Sequence, residues 1–522
     1  MADEQFEQAI AAGYGFEGPS LTFGAAQHED RTIPAAQVRI PLGMLNRHGL
    51  VAGATGTGKT KTLQVLAEQL SDAGVPVFIS DIKGDISGLG APAELNDRIT
   101  DRAEQIGFTD YAPRAFPVEF LTLDRDGKGV RLRASVLSFG PILLAKVLDL
   151  NETQQSVLAL AFKYADDHTL PLIDLADLRA LLNHLDSEDG KKEMEEYGGV
   201  ATATVGVIIR KIVELEQQEA DAFFGAPEFD VADFLRTTPD GKGVISVLEL
   251  ADMQDRPALF STFMMWLLAK LYQSLPEVGD PERPKLVFFF DEAHLLFRDA
   301  NKTFLQQIEL VARLIRSKGV GVFFVTHSPA DVEASVLAQL GNRVQHALRA
   351  FTPDDLEVVR ATAETFPVTE FYEVDTELTR LGTGEALVTA LDPKGRPMPT
   401  VRVMMRPPQS LMAQLEPAAF DAVVAASPIA AEYAADQDPQ SAREMLAARV
   451  AELEKAAADA ETPLDEVRDP AGRGRMRPTR APERGVDWRD VAQEGARFAR
   501  SGTFNTILRS ILGVLGGGSR RR

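Results

Sequence analysis

Two rhythms of hydrophobic and polar residues alternate along the chain. Short apolar runs stand at "HGLVAG" (48–53), "VPVFISD" (75–81), "GVISVLEL" (243–250), "KLVFFFD" (285–291) and "GVGVFFVTH" (319–327). Runs of this length, bounded by Gly, Pro or charge, predict strands buried on both faces, as in a parallel sheet covered by helices on either side. Elsewhere the spacing lengthens to that of a helix. Leu63, Leu66, Ala67 and Leu70 share one face of a helix predicted over 60–73, and further helices are predicted over 258–275 and from about 302 to 317. Strand, glycine turn, helix and strand in that order make a βαβ unit, so the fold class is α/β with a mostly parallel central sheet.

The same reading divides the chain. Residues 1–43 hold alternating runs punctuated by Gly and Pro and predict an N-terminal β segment; 44–405 form the core. Within the core, the pattern from about 92 to 235 is mostly helical and predicts an inserted helical subdomain. There "LNETQQSVLALAFKYA" opens with Asn151 and carries Gln154 three residues on, the spacing of a capping box. "GEALVTAL" and "TVRVMM", flanking "DPKGRP", predict a closing strand pair over 385–405. Residues 406–460 predict a helical tail, 461–485 an Arg/Pro/Gly linker, and 486–522 an amphipathic helix.

Composition narrows the class. The chain has 522 residues, 45% hydrophobic and 25% charged, and a formal net charge of −22. That balance argues against coating nucleic acid with the whole surface, although a local basic groove is compatible with it. With no cysteine there is neither a zinc–thiolate site nor a cysteine nucleophile, which suits a reducing compartment. The start "MADEQFEQAI" has no apolar segment of the secretory kind, and no apolar run approaches the ~20 residues of a membrane span. A cytoplasmic location is expected.

Chemistry enters at "GATGTGKT", where Gly53, Gly58, Lys59 and Thr60 match the phosphate-loop spacing. Glycines let the backbone N–H groups of Gly53, Ala54, Thr55, Gly56, Thr57, Gly58, Lys59, Thr60 and Lys61 wrap phosphate oxygens, and the helix that follows adds its positive end. Lys59 reaches the terminal phosphates and the Thr60 hydroxyl ligates Mg²⁺. "LVFFFDEAH" supplies the complementary half: Asp291 for the metal and Glu292 as general base toward water. "VFFVTH" ends in Thr326 and His327, polar groups placed to sense the γ-phosphate from a neighbouring strand. The alternative for these two is simply to cap the strand. Asp81, 22 residues after Lys59, matches the spacing of a ribose-binding acid, but the Lys-Thr pair is foreign to that motif.

The stretches "LNRHGLVAGATGTGKT", "ISDIKGDISGL", "DEAHLLF", "RLIRSKGVGVFFVTHSP" and "VLAQLGNRVQHALRAFTPDD" resemble, in order, the HerA/FtsK branch of P-loop ATPases, and within it the bacterial helicase HerA-like group. The resemblance spans roughly residues 20–515. It implies a RecA-like ATPase core with ATP and Mg²⁺ as cofactors, assembled as a hexameric ring that moves DNA. It also implies an arginine reaching the neighbouring subunit's nucleotide, for which Arg343 and Arg349 are the first candidates and Arg313 and Arg316 the next. Two departures stand out: His327 occupies a place where the family pattern has Gln, and only about 50 residues precede the phosphate loop here, so the role of the β-barrel that HerA proper carries there is not carried over. A second partner class is suggested by Phe504, Ile507, Leu508, Ile511, Leu512 and Leu515, a helical stripe with arginines around it, which fits a membrane surface, a protein groove or the chain's own core. An ATP-driven switch on protein or membrane partners is therefore the alternative to a DNA motor.

Overall fold

Five residues explain most of the architecture. In the strand Leu286–Phe290, Leu286, Phe288 and Phe290 join one hydrophobic core while Val287 and Phe289 join another, and all five are at most 1% exposed. A strand with two apolar faces needs a helical layer on each. The computed structural model describes residues 2–250, 257–297 and 302–461 and has that arrangement.

The strands are β1 (Ser20–His28), β2 (Arg31–Pro41), β3 (Gly49–Ala52), β4 (Val77–Asp81), β5 (Val118–Thr122), β6 (Val130–Arg131), β7 (Ile245–Glu249), β8 (Leu286–Phe290), β9 (Val320–Thr326), β10 (Asn342–Gln345), β11 (Glu385–Thr389) and β12 (Val401–Met405). They form one sheet in the order β2-β1-β12-β11-β10-β3-β9-β8-β4-β7-β5-β6. From β10 to β6 every pairing is parallel; from β10 to β2 every pairing is antiparallel. The helix Lys59–Asp72 buries Leu63, Leu66, Ala67 and Leu70 in the core that holds Val287 and Phe289. The helix Pro257–Ser274 buries Phe263, Met264, Trp266 and Leu267 in the core that holds Phe288.

The structure differs from the sequence expectation at three places. First, residues 1–43 are not all β. Ala2–Tyr14 is a helix whose Phe6, Ile10 and Tyr14, four apart, are buried, and the Tyr14 hydroxyl donates to the Pro399 carbonyl at 2.7 Å. Second, the stretch expected to be helical from about 92 contains β5 and β6; the all-helical part begins at Val136. β5 was disguised by Glu119, a buried charge in mid-strand that pairs with Arg236 and accepts from Ser427. Third, β10 reads as polar because Asn342 and Gln345 carry amides, yet both are buried and the strand runs parallel to β3.

Inside the helical insertion, Asn151 and Gln154 do form the reciprocal cap, at 3.1 and 3.0 Å. After β12 the chain turns back over the helix Lys59–Asp72, where the N–H groups of Gln409 and Ser410 donate to the buried Glu68 at 3.0 and 2.8 Å. Helices Pro417–Ala425, Ala430–Tyr433 and Ala442–Glu461 follow. The expected linker beyond 461 and the stripe at 486–522 lie outside the described residues. Among the described residues, no helix is long and apolar enough to cross a membrane.

Candidate active site

The parallel register decides what meets what. β3 pairs with β9 and β9 with β8, so one strand separates the phosphate loop from the two acids. Ala52 is opposite Thr326 and Phe290 opposite Phe324, which brings Gly53, His327 and Asp291 to the same carboxyl edge of the sheet. Ligands in open parallel sheets bind at this edge.

The loop itself is tightly made. Gly53, Gly56 and Gly58 all have positive φ, at 154°, 76° and 118°. A Cβ on Gly53 would stand 2.5 Å from the Cβ of His346, so the loop closes only with hydrogen there. Ala54 N–H donates to the Ala347 carbonyl at 2.8 Å and Thr57 Oγ1 to the Ala54 carbonyl at 2.7 Å. Thr55 and Gly56 form the exposed tip, and Gly58 leads into the helix that starts at Lys59, with Thr60 and Lys61 in its first turn. Lys59, 6% exposed, folds back and donates to the carbonyls of Gly53 at 2.7 Å and Ala54 at 3.2 Å. Burial lowers the Lys59 ammonium from its ordinary value, while Glu292, Asp291 and Asp331 act to raise it.

Opposite stand Asp291 and Glu292, each 3% exposed. Asp291 Oδ1 accepts the Glu292 N–H at 2.9 Å, and Asp291 Oδ2 is buried without a hydrogen-bond partner. Burial first, then Glu292 and Asp81, push the Asp291 carboxyl up to about 7. The neighbouring strand ends carry the same strain: burial raises Asp81 to about 6 and Glu249 to about 8. Carboxylate oxygens of Asp81, Asp85 and Asp291 lie within 4.8 Å of one another. An orphaned buried carboxylate oxygen in an all-oxygen setting fits a hard divalent cation such as Mg²⁺. Glu292 sits at φ 49°, left-handed for a non-glycine, at a cost of about 1–3 kcal/mol. Its Oε1 pairs with Lys83, and its Oε2 lies 3.2 Å from His294 Nδ1 and 3.1 Å from His327 Nε2. Burial acts to raise Glu292, but the Lys83 hydrogen bond and charge, with His327 and His294, hold it below its ordinary value.

The remaining predicted residues divide. His327 reaches the site through Glu292. Thr326 is fully buried and its hydroxyl donates to Asp331 at 2.8 Å, so in this conformation it is taken up by its own chain. Arg343 lies in β10 and donates to the Thr365 carbonyl at 3.3 Å, whereas Arg349 is exposed just beyond the residues that flank the loop. Arg313 and Arg316 make ion pairs with Glu309 and Asp280. Sequence reasoning gave no role to Lys83 or His346. Lys83 stands in the turn after β4, which Asp81 organises by accepting from the N–H groups of Lys83, Gly84 and Ile86 at 3.1, 2.8 and 2.8 Å. The signal was present in "DIKGD", an Asp-to-Gly turn directly after a buried strand. His346, fully buried and lowered to about 4 by its burial, links Thr62 at 2.9 Å to the Glu385 carbonyl at 2.8 Å beneath the loop. Nothing local in the sequence marks it.

Comparison with known proteins bears on the family and the fold. The family model described as Helicase HerA-like C-terminal matches residues 27–522. The DNA double-strand break repair helicase HerA of Sulfurisphaera tokodaii is 22% identical over 356 residues, covering 67% of this chain and 64% of that protein. The same-named protein of Sulfolobus acidocaldarius is 21% identical over 362 residues, covering 67% and 64%. The chain thus spans about 64% of the length of these relatives. Among solved structures, the bacterial conjugative coupling protein TrwBdeltaN70 has a TM-score of 0.50 at 17% identity, covering 78% of this chain and 98% of that one. The plasmid coupling protein TrwB with the ATP analogue ADPNP has a TM-score of 0.51 at 16% identity, covering 78% and 98%. The likeness to both is one of fold.

Proposed function

The chain belongs to the Helicase HerA-like C-terminal family, and from that premise we propose that it is a Mg²⁺-dependent ATP hydrolase working as a ring-forming motor on DNA. The observation that supports hydrolysis best is the placement of the Lys59 loop and the Asp291–Glu292 pair at one sheet edge, a single strand apart. The DNA part rests on what the HerA relatives are named for.

In this reading Lys59 leaves the Gly53 and Ala54 carbonyls for the β and γ phosphates, which are better acceptors because they carry charge. Loop N–H groups and the helix N-terminus hold the remaining phosphate oxygens. Thr60 and Asp291 would hold Mg²⁺, which supplies charge neutralisation for the leaving phosphates when bound. Glu292 takes the proton of the attacking water once its Oε1 is released from Lys83. Arg349, exposed at the same edge, is the better placed of the two candidate arginines to reach a neighbouring subunit; Arg343 is anchored within its own chain.

The test is the ATPase rate with and without single- and double-stranded DNA at two salt concentrations. Stimulation that fades as salt rises is expected, because phosphate contacts release counterions. Lys59→Ala should show no turnover. A rate indifferent to both DNAs would transfer the assignment to a switch acting on protein or membrane partners, and normal turnover by Lys59→Ala would overturn the hydrolase itself.

A further inference from the structure

Glu292 Oε2 carries more than the chemistry of a general base requires. It is buried and makes no hydrogen bond, and two imidazole nitrogens face it, His294 Nδ1 at 3.2 Å and His327 Nε2 at 3.1 Å. His294 Nδ1 is likewise buried without a hydrogen-bond partner. The two rings lie 5.1 Å apart between centroids, and the three ligand atoms all fall within 4.8 Å of one another. Each side chain is fixed by a different piece of the sheet edge: Glu292 by the turn after β8, His294 by the start of the helix His294–Phe297, and His327 by the end of β9.

We propose that Glu292, His294 and His327 form a binding site for a transition-metal dication of the zinc class. Ligand atoms about 2.1 Å from a tetrahedral ion stand about 3.4 Å apart, close to the two separations already present. The donor set of two imidazoles and one carboxylate selects such ions over Mg²⁺, which prefers oxygen. Three protein ligands leave a fourth position for water, and the His327 side chain, 39% exposed, opens the site to solvent. Lys83 does not obstruct it. Its ammonium engages the other oxygen, Oε1, and its side chain is 42% exposed, free to turn outward as a cation enters. The site is separate in donors from the magnesium position given to Thr60 and Asp291. Its consequence rests on the hydrolase reading: an ion on Oε2 occupies the base, so the zinc-class ion acts as an inhibitor.

Binding is tested on the full chain without nucleotide, using Co²⁺ as the probe. Visible absorption of a tetrahedral Co²⁺ complex, displaced by Zn²⁺, is expected at one ion per chain. Loss of a direct ligand should cost at least as much as loss of a group that merely orients one, so His294→Ala and His327→Gln should each weaken Co²⁺ binding by about 10–100-fold or more. Thr60→Val, which touches only the magnesium position, should leave it unchanged. Absence of the band in the native chain, or native affinity in both histidine variants, would overturn the site. In ATPase assays at constant Mg²⁺, Zn²⁺ should inhibit the native chain and leave His294→Ala at its own uninhibited rate. Stoichiometric Co²⁺ binding without inhibition supports the site and refutes the inhibitory consequence. Binding in a chain that hydrolyses no ATP supports the site and refutes the hydrolase reading.

Discussion

Lys83→Met asks what the contact between Lys83 and Glu292 does. The lysine lies in the turn after β4 and its ammonium occupies Glu292 Oε1, while the two histidines face Oε2. With Lys83 on Oε1 and the two imidazoles facing Oε2, the carboxylate has no open side toward water, so on the hydrolase reading Glu292 acts as base only after release from Lys83. A charge-assisted hydrogen bond of this kind is worth about 1.5–3 kcal/mol when sheltered. The Lys83 side chain is 42% exposed, and solvent screening brings the contribution to about 1 kcal/mol. If releasing Lys83 is part of the barrier, Lys83→Met should raise kcat about fivefold, the rate equivalent of that energy. Methionine keeps the length of the stem and removes only the charge. The assay is steady-state phosphate release at saturating ATP, repeated in a Glu292→Gln background. There the carboxylate is gone, and the same substitution should have no effect on rate. A fall in kcat in the native background would refute the reasoning, because it would make Lys83 a support for the active conformation. An equal rise in both backgrounds would place the effect elsewhere.

Other consequences are more direct. Gly53→Ala puts a methyl 2.5 Å from His346 Cβ at φ 154°, whereas Gly56→Ala meets nothing within 4 Å at φ 76°. The first should lower both Tm and nucleotide affinity clearly more than the second, whose cost is limited to backbone strain of about 1 kcal/mol; equal effects in thermal melts and titrations would contradict the packing. Asp291, raised to about 7 by burial, binds its proton more tightly when folded than when unfolded. Its contribution therefore falls as pH rises from the ordinary carboxylate range through about 7 and is flat beyond. Asp291→Asn should raise the stability of the nucleotide-free chain at pH 8 more than at pH 5 and abolish Mg²⁺-dependent ATP binding; destabilisation at pH 8 in chemical denaturation would refute this. For the arginines, mixing Arg349→Ala subunits with Glu292→Gln subunits should restore some turnover through interfaces that combine an intact arginine with an intact base, and a mixture no more active than its parts would rule out action in trans.

How much of this was legible depends on whether a residue's role was local. The phosphate loop was readable because the backbone wrap, the helix start and the lysine lie in one run of eight residues, and each glycine there answers a positive φ. Asp291 and Glu292 were readable because an apolar strand ended in two acids. Lys83 and His346 were not, because their partners are distant in sequence: Lys83 meets Glu292 across 209 residues and His346 meets Thr62 across 284. The fold shows the same division. β4, β8 and β9 announce themselves as apolar runs, while β5 hides behind Glu119 and β10 behind Asn342 and Gln345; Glu119 and Asn342 are satisfied by partners distant in sequence. Asn342, for instance, donates to the carbonyls of Met44 and His48 at 3.0 and 2.9 Å.

Lys83, which the pattern concealed, also bears on how the acids at this edge are held together. Parallel strands deliver the ends of β4, β7 and β8 to one edge, where Asp81 and Glu249 end β4 and β7 and Asp291 directly follows β8. Gathering those charges in a buried place is unfavourable, as the upward displacement of all three shows. Asp81 is compensated by three backbone N–H groups of its own turn, and Glu292 by Lys83, which that turn presents. Asp291 Oδ2 and Glu249 Oε1 have no such compensation. The turn that calms Asp81 is thus the one that holds Glu292, so on the hydrolase reading a cation entering beside Asp291 acts on the same cluster of charge that keeps Lys83 in place. In the proposed reading, cation binding and release of Glu292 are therefore coupled through that shared charge.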